Sequence, residues 1–387
     1  MRIDSHTNEK PHKEVALALP AGVPHLERVL HGIRIYSQKH GDWVFVASPE
    51  THFMSVTSLE GWDGDGVIAL VNTPDELEVA KSLNMPLVNL SGVLENAGLP
   101  RVRVDYEEGG VKAADHLLER GFQRFAFYGL ENVWYSQLYR KGFEKRLSVF
   151  DLKCEGYEVA SSIGVKQPWR HGADQLDEWL TSLEGPVGIM TAHDPRGAMV
   201  IQACRRVGLR VPHDVAVISA NNDTNICEFC DPPLSSVDRN GEEIGFHAAS
   251  LLDRLMKGER SAPLETVLPP GAVMARESTN ILSVEEPLLE KAVEYINSNI
   301  GSSFDVDDLV GVVGRSRRWI EYAFQRYLRR SPHRYINEAR VKRACSLLSG
   351  DDSLILKEVA SMSGFSSTRQ MNHAFKSVLD KLPRDFK

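Results

Sequence analysis

The 387-residue sequence predicts a two-lobed α/β domain built on parallel sheets, followed by an all-α domain. Three observations predict this. Through the first two-thirds of the chain, short apolar runs alternate with amphipathic stretches, the pattern of βαβ units. About ten strands are read this way, a number that suits two lobes better than one sheet. Beyond Glu285–Pro287 every apolar pattern has a period of 3.6 residues and no strand is evident. The domains are therefore placed at 1–284 and 285–387.

The elements follow in order. Val15–Leu19 reads as a strand, His25–Lys39 as a helix and Trp43–Ala47 as a strand. Gly66–Leu70 is a strand, Pro74–Leu83 a helix and Leu87–Leu90 a strand. Val102–Asp105 leads into a helix that runs through Arg120, and Phe125–Tyr128 is the next strand. Helix Gln137–Val149, strand Tyr157–Ala160, helix Trp169–Leu183 and strand Val187–Thr191 continue the alternation. Helix Gly197–Val207, strand Val215–Ser219 and helix Glu242–Met256 complete it, and Gly258–Pro270, rich in Pro and small residues, closes the region. Single helices between strands imply right-handed crossovers and parallel pairing.

The C-terminal region contains an internal repeat. Gly314 stands six residues after Asp308, and Gly364 six after Glu358. Phe324 is followed by Pro332 and Tyr335, and Phe375 by Pro383 and Phe386, at identical spacings. In each unit a short helix (Val306–Val312 or Leu356–Ser363) ends at a Gly able to take the left-handed conformation. A Ser then caps a second helix: Ser316 in the first unit, Ser366 or Ser367 in the second. Ile320, Phe324 and Tyr327 share one face of the first such helix; Met371, Phe375 and Val378 share one face of the other. Two helix-turn-helix units result, each offering a helix to a DNA major groove. The outward residues suit base edges: Arg317, Arg318, Glu321, Tyr322 and Gln325 on the first helix, Thr368, Arg369, Asn372 and His373 on the second. Arg326, Arg329, Arg330 and Arg334 are expected at phosphates, which position the protein without conveying sequence. A basic helix over Ser331–Leu348 joins the units.

Charge is divided accordingly. The net charge is −8, which by itself argues against a nucleic-acid partner. Yet residues 286–387 hold 17 Lys+Arg against 13 Asp+Glu, a net of +4, while residues 1–285 carry −12. Ten basic residues fall within 313–347, opposed only by Glu321 and Glu338. That asymmetry fits an acidic body with a basic nucleic-acid-binding tail.

The C-terminal domain resembles the DNA-binding domain of the AraC/XylS family of bacterial regulators. The resemblance rests on Leu309, Gly314, Ser316, Ile320, Phe324, Pro332, Tyr335, Arg340, Ala344 and Leu348, then Val359, Ala360, Gly364, Phe365, Phe375, Lys376 and Pro383. Residues 12–284 resemble the periplasmic-binding-protein-like core of the LacI family. Here the order of Met85–Val88, Val104-Asp105, Arg124–Tyr128, Gly188–Asp194, Val211-Pro212, Asp214–Ser219 and Pro232–Leu234 is the specific part. A LacI-like sensor ahead of an AraC-like reader implies a sugar-responsive activator, with D-xylose the implied effector. Its implied partners are double-stranded operator DNA, RNA polymerase and a second copy of the chain in a homodimer.

A sugar pocket needs carboxylates, carboxamides, Arg and an aromatic face where parallel strands end. His25, Trp134, Arg140, Asp194, Arg196, Asn221 and Asp223 are the candidates, and the resemblance implies that Asp194 and Asn221 touch ligand. No G-x-S-x-G elbow, P-loop or G-x-G-x-x-G fingerprint occurs, so no catalytic residue or cofactor is expected. Cys227 and Cys230 have metal or redox spacing but no accompanying pair, so no metal is expected. The polar start, Met1 to Glu14, is unlike a signal peptide, and no apolar run is long enough for a bilayer. Five scattered cysteines read as reduced thiols, and the expected location is the cytoplasm. The alternatives are a repressor, a regulator tuned to another monosaccharide, a solute-binding protein and an α/β enzyme.

Overall fold

A computed structural model describes residues 12–20, 24–40, 42–46, 54–161, 173–259, 261–281, 287–350 and 354–386. They fall into two compact units. One comprises Gln123–Ile281 and the described residues before Leu118; the other takes Leu118–Phe122 and the described residues after Ile281.

The first unit holds two six-stranded sheets. The first contains β1 (Lys13–Ala18), β2 (Trp43–Val46), β3 (Gly66–Ala69), β4 (Leu87–Asn89), β5 (Arg101–Val104) and β11 (Glu265–Leu268), in the order β11-β5-β4-β3-β1-β2. The second contains β6 (Arg124–Glu131), β7 (Cys154–Ala160), β8 (Val187–Thr191), β9 (Val215–Asn221), β10 (Ser235–Asp238) and β12 (Val273–Met274), in the order β12-β10-β9-β8-β6-β7. The two orders match strand for strand, and the final pairing alone breaks the symmetry. β11 joins β5 in parallel, whereas β12 joins β10 antiparallel.

Helices cover the sheets: α1 (Pro24–His40), α2 (Pro74–Ser82), α3 (Tyr106–Leu118), α4 (Trp134–Ser148), α5 (Ala173–Ser182), α6 (Asp194–Val207), α7 (Thr224–Cys227) and α8 (Gly241–Met256). β3 and β8 are wholly buried, so their apolar runs are continuous rather than alternating. On the first sheet α1 and α8 cross closely. A Cβ on Gly245 would lie 1.9 Å from the Val29 carbonyl, and one on Gly32 1.9 Å from that of Glu242. Only glycine lets α1 and α8 approach this far.

Three strands depart from the expected set. β11 lies inside Gly258–Pro270, which reads from sequence as a closing linker. It is a half-exposed edge strand with Pro on both flanks, so no long apolar run betrays it. β10 is built from Ser-Ser-Val-Asp and is hidden by its polarity, although its first three residues are buried. β12 has only two residues. Positions 169–172 of the expected helix and Ala47 lie outside the described residues.

The second unit is helical wherever it is described: α9 (Pro287–Asn299), α10 (Val306–Val313), α11 (Arg317–Leu328), α12 (Pro332–Gly350), α13 (Leu356–Met362) and α14 (Thr368–Leu379). It has two cores. Leu289, Ile296, Leu309, Ile320, Phe324 and Ile336 form one; Val341, Leu348, Val359, Phe365, Met371 and Phe375 form the other. α12 serves both, its first half facing one core and its second half the other. Among the described residues no helix is long and apolar enough to cross a membrane.

Candidate ligand cavity and nucleic-acid interface

A cavity of about 480 Å³ opens between the two sheets of the first unit. It lies beyond the carboxyl ends of the strands, facing the points where both strand orders reverse. From the first sheet come Leu70 and Asn72 after β3 and Ser91, Gly92 and Val93 after β4. From the second come His193 and Pro195 after β8, Asn221 and Asp223 around the end of β9, and Arg239 after β10. His25 enters from the first turn of α1, and Tyr106, Tyr135 and Tyr139 form an aromatic wall. Tyr106 lies 6.0 Å from Tyr135 and 5.2 Å from Tyr139 between ring centroids.

Of the seven expected ligand residues, His25, Asn221 and Asp223 meet in this cavity. Asp194 sits behind it. It is fully buried and accepts from Ser236 Oγ at 2.6 Å, from the Asp223 amide at 2.7 Å and from Ser219 Oγ. Burial lifts its carboxyl to about 6 against these bonds. Its visible role is to hold the Asp223 turn. Arg196 donates to the Tyr128 hydroxyl at 2.9 Å and stacks on that ring. Trp134 lies outside the lining and is covered by Arg101 and Arg103, 4.9 and 4.8 Å from its ring. Arg140 points away, into Glu144 at 2.7 Å and Glu158 at 3.0 Å.

The cavity also contains residues that the sequence reading missed. Arg239 is only 9% exposed, and its Nη2 donates to the Leu90 carbonyl at 3.1 Å. Among the described residues its Nε has no hydrogen-bond partner. Arg239 follows the overlooked strand β10, so its position at a strand end was hidden with it. Tyr135 and Tyr139, one helical turn apart on α4, were the available aromatic signal.

The polar groups are set for hydrogen bonding rather than proton transfer. Asp223 Oδ1 caps α7 by accepting from the Ile226 amide, and Oδ2 lies 3.9 Å from His25 Nδ1. Burial lowers the His25 pKa, and it drives His193 down to about 3 with help from Arg196. Both imidazoles are therefore neutral at pH 7. The Cys230 thiol is pushed up to about 11 by burial and Cys227 is raised further, which leaves both unreactive. Among the described residues no three His, Cys, Asp or Glu side chains gather to hold a metal.

The second unit builds the two expected helix-turn-helix elements. Asp305 and Asp308 form a capping box at α10, which ends at Gly314 with φ 68°. Ser316 caps α11 by accepting from the Trp319 amide at 3.3 Å, and Ser367, not Ser366, caps α14 by accepting from Gln370 at 3.2 Å. α11 buries Ile320, Ala323, Phe324 and Leu328. It exposes Arg317, Arg318, Glu321, Tyr322, Gln325 and Arg326. α14 buries Met371, Ala374 and Phe375 and exposes Arg369, Asn372 and His373, with Thr368 half-buried.

Two arginines differ from expectation. Arg330 was placed at phosphate, but its side chain is 9% exposed and ion-paired with Glu338. Arg334 is exposed and joins the same carboxylate at 2.8 Å. Arg340, on the basic connecting helix, is buried and donates to the Ser302 and Phe304 carbonyls at 3.3 and 3.0 Å, with its guanidinium on the Phe304 ring. It holds the first core closed rather than facing solvent.

Comparison with known proteins agrees with both halves. Residues 114–279 match a periplasmic binding protein-like domain, and residues 309–387 match a helix-turn-helix domain. The xylose operon regulatory protein of Escherichia coli is 28% identical over 381 residues, 96% of each chain. That of Haemophilus influenzae is 26% identical over 382 residues, 97% of this chain and 98% of the relative. The structure of a xylose-binding transcription activator superposes with a TM-score of 0.60 at 26% identity, covering 97% of each chain. These relatives are regulators, not enzymes. The chain is a DNA-binding transcription regulator that joins a periplasmic-binding-protein-like domain to a helix-turn-helix domain.

Proposed function

We propose that this regulator is a D-xylose-responsive activator of a carbohydrate operon, with residues 1–284 as sensor and 285–387 as reader. The observation that carries the ligand class is the pairing of Arg239 and Asp223 in one aromatic-walled cavity. A buried Nε–H without a partner needs an acceptor, and a buried carboxylate oxygen needs a donor. A hydroxylated ring supplies both, while its apolar face lies against Tyr. An anionic ligand meets Asp223, and a purely apolar one leaves both groups unsatisfied. The likeness to xylose operon regulatory proteins and to a xylose-binding activator supports xylose among such ligands. His25, Asn221 and Asp223 are assigned to the sugar with Arg239.

At the operator, Arg317, Arg318, Glu321, Tyr322 and Gln325 are assigned to bases, with Thr368, Arg369, Asn372 and His373 reading a second site; Arg326 and Arg334 are assigned to phosphates. Paired operator sites call for a homodimer, activation calls for contact with RNA polymerase, and a DNA target places the protein in the cytoplasm. The test is thermal melting of the full chain against a pentose and hexose panel, with operator binding measured in parallel. D-Xylose at about a hundred times Kd should raise the melting temperature of the sensor by about 5–10 °C. It should also change operator affinity. No shift with any sugar refutes the sensor assignment, and a shift confined to another sugar moves the assignment to that sugar.

A further inference from the structure

We propose that Arg28 is a positioning residue for the effector: from one lobe it holds the cavity turn Asn221–Asp223 of the other. The inference rests on the sugar-sensor reading for the identity of the ligand, but not for the positioning itself.

Arg28 lies on α1, which belongs to the first lobe through its tight crossing with α8. It does not line the cavity. Its guanidinium reaches acceptors at the ends of β9 and β10 in the second lobe. Nη1 donates to Asp238 Oδ2 at 2.6 Å, and Nη2 donates to the carbonyls of Asn221 at 2.8 Å and Asn222 at 3.3 Å. One planar fork therefore satisfies a carboxylate and two successive backbone oxygens.

Those two oxygens belong to unusual backbone. Asn221 has φ 109° and Asn222 φ 52°, the left-handed side that non-glycine residues avoid. Such conformations persist where the surroundings over-determine them, and they cluster at functional turns. The second lobe anchors the Asn222 side chain and amide: Arg276 donates to Oδ1 at 2.8 Å, Nδ2 donates to Asp238 at 3.0 Å, and the amide donates to Ser236 Oγ at 2.9 Å. Arg28 secures the carbonyl side from across the cleft. Asn221 and Asp223 flank this point and both face the cavity. The arginine thus places two effector contacts while touching none of the ligand, and it can do so only while the lobes hold this arrangement. A lysine can replace it only in part, because a point charge does not serve three acceptors set around a plane.

The test uses the full chain with R28M and R28K. Calorimetry gives the Kd for D-xylose, and hydrogen exchange without sugar reports the amides of 221–227 against those of Val67–Ala69 in the core. R28M should bind at least about tenfold more weakly, as expected when charge-assisted bonds are lost. It should also exchange faster at 221–227 with the core amides unchanged, and R28K should fall between R28M and wild type. A purely structural role would speed exchange throughout. Unchanged exchange at 221–227 in R28M overturns the proposal, as does an unchanged Kd. If wild type itself binds no sugar, the sensor reading fails, and the exchange comparison alone decides the role of Arg28.

Discussion

Replacing Arg239 by Met separates a binding role from a structural one, because a binding role lowers affinity while stability stays near that of wild type. In the sugar-free protein the substitution removes one charge-assisted bond, Nη2 to the Leu90 carbonyl, worth about 1.5–3 kcal/mol. It also removes a buried guanidinium whose Nε is unpartnered. Relieving an unsatisfied buried charge, with an apolar side chain of similar length in its place, returns about 1–4 kcal/mol. The two ranges nearly cancel, leaving a change centred near zero and within about 2 kcal/mol either way. At about 2–4 °C per kcal/mol for a unit of this size, the melting temperature should stay within about 8 °C of wild type. With sugar present, the lost donors should weaken Kd by about ten- to a hundredfold. Thermal melting and calorimetry on the same preparation measure both. A melting temperature that falls by more than about 8 °C while Kd stays unchanged would make Arg239 a structural strut and refute the reasoning.

Other perturbations test the remaining parts. Arg318→Ala should cost on the order of 1–3 kcal/mol of operator binding and relax base preference; equal discrimination between operator and mismatched DNA in a competition assay would remove Arg318 from the reading face. Gly245→Ala should lower the melting temperature by several degrees, since its Cβ would meet the Val29 carbonyl at 1.9 Å. The overpacking cost of about 1–3 kcal/mol or more exceeds the roughly 1 kcal/mol that Ala gains over Gly in a helix. Stability should also depend on pH through two opposed groups. His193, lowered to about 3, contributes stability that is present above its unfolded pKa of 6.5 and is lost as pH falls toward 3. Asp194, raised to about 6, contributes stability that is present below its unfolded value of 3.8 and is lost as pH rises through 6. Between pH 6 and 4 they oppose each other. His193→Asn, which retains a helix cap, should therefore become more stable on acidification over that window relative to wild type. The slope difference should be at most about 1.4 kcal/mol per pH unit, less the screening of a part-exposed imidazole, and denaturant titration at each pH would detect its absence.

Most of the architecture was legible because periodicity survives wherever burial is one-sided or complete. β8 and α1 fall within a residue or two of their expected bounds. The repeat spacing around Gly314 and Gly364 places both helix-turn-helix units, since a left-handed residue and a capping Ser are local requirements. The overlooked strands share a different origin. β10 is polar in composition and buried by its neighbours, and β11 is an edge added after a long crossover. In both, pairing partners rather than side chains set the conformation. The cavity was less legible because its walls converge from eight elements. Proximity to a strand end selects His25, Asn221 and Asp223 correctly for the lining but also selects Arg140, which Glu144 and Glu158 draw outward. The i, i+4 spacing of Glu144 is legible in the sequence, whereas Glu158 reaches Arg140 from β7 only in the folded chain. Arg239 shows the converse, since its identification depended on a strand that composition conceals.

The charge of the DNA-binding half needs the same sorting. Its ten basic residues over 313–347 suggest a broad cationic surface. The folded protein sets seven of them to three tasks. Arg330 and Arg340 are spent inside, on Glu338 and on the Ser302 and Phe304 carbonyls. Arg317 and Arg334 are exposed but already face carboxylates, Asp307 and Glu321 in one case and Glu338 in the other. Arg315, Arg318 and Arg326 are exposed and, among the described residues, form no ion pair. Counterion release depends on the phosphates a protein newly neutralises, at a salt slope of about 0.9 per contact on duplex DNA. An arginine whose charge is already offset adds little to that slope, yet its donors are oriented in advance. On the proposed operator assignment the first recognition unit would divide its labour: Arg315 and Arg326 would supply salt-sensitive grip, while Arg317, steadied by Asp307 and Glu321, would join Arg318 at base edges. Operator affinity measured across salt concentrations should show Arg326→Ala reducing the slope by about one unit. Arg317→Ala should leave the slope nearly unchanged while discrimination falls. A reduced slope in both would mean that the carboxylates release Arg317 on binding, and that its charge, not its orientation, is what the DNA meets.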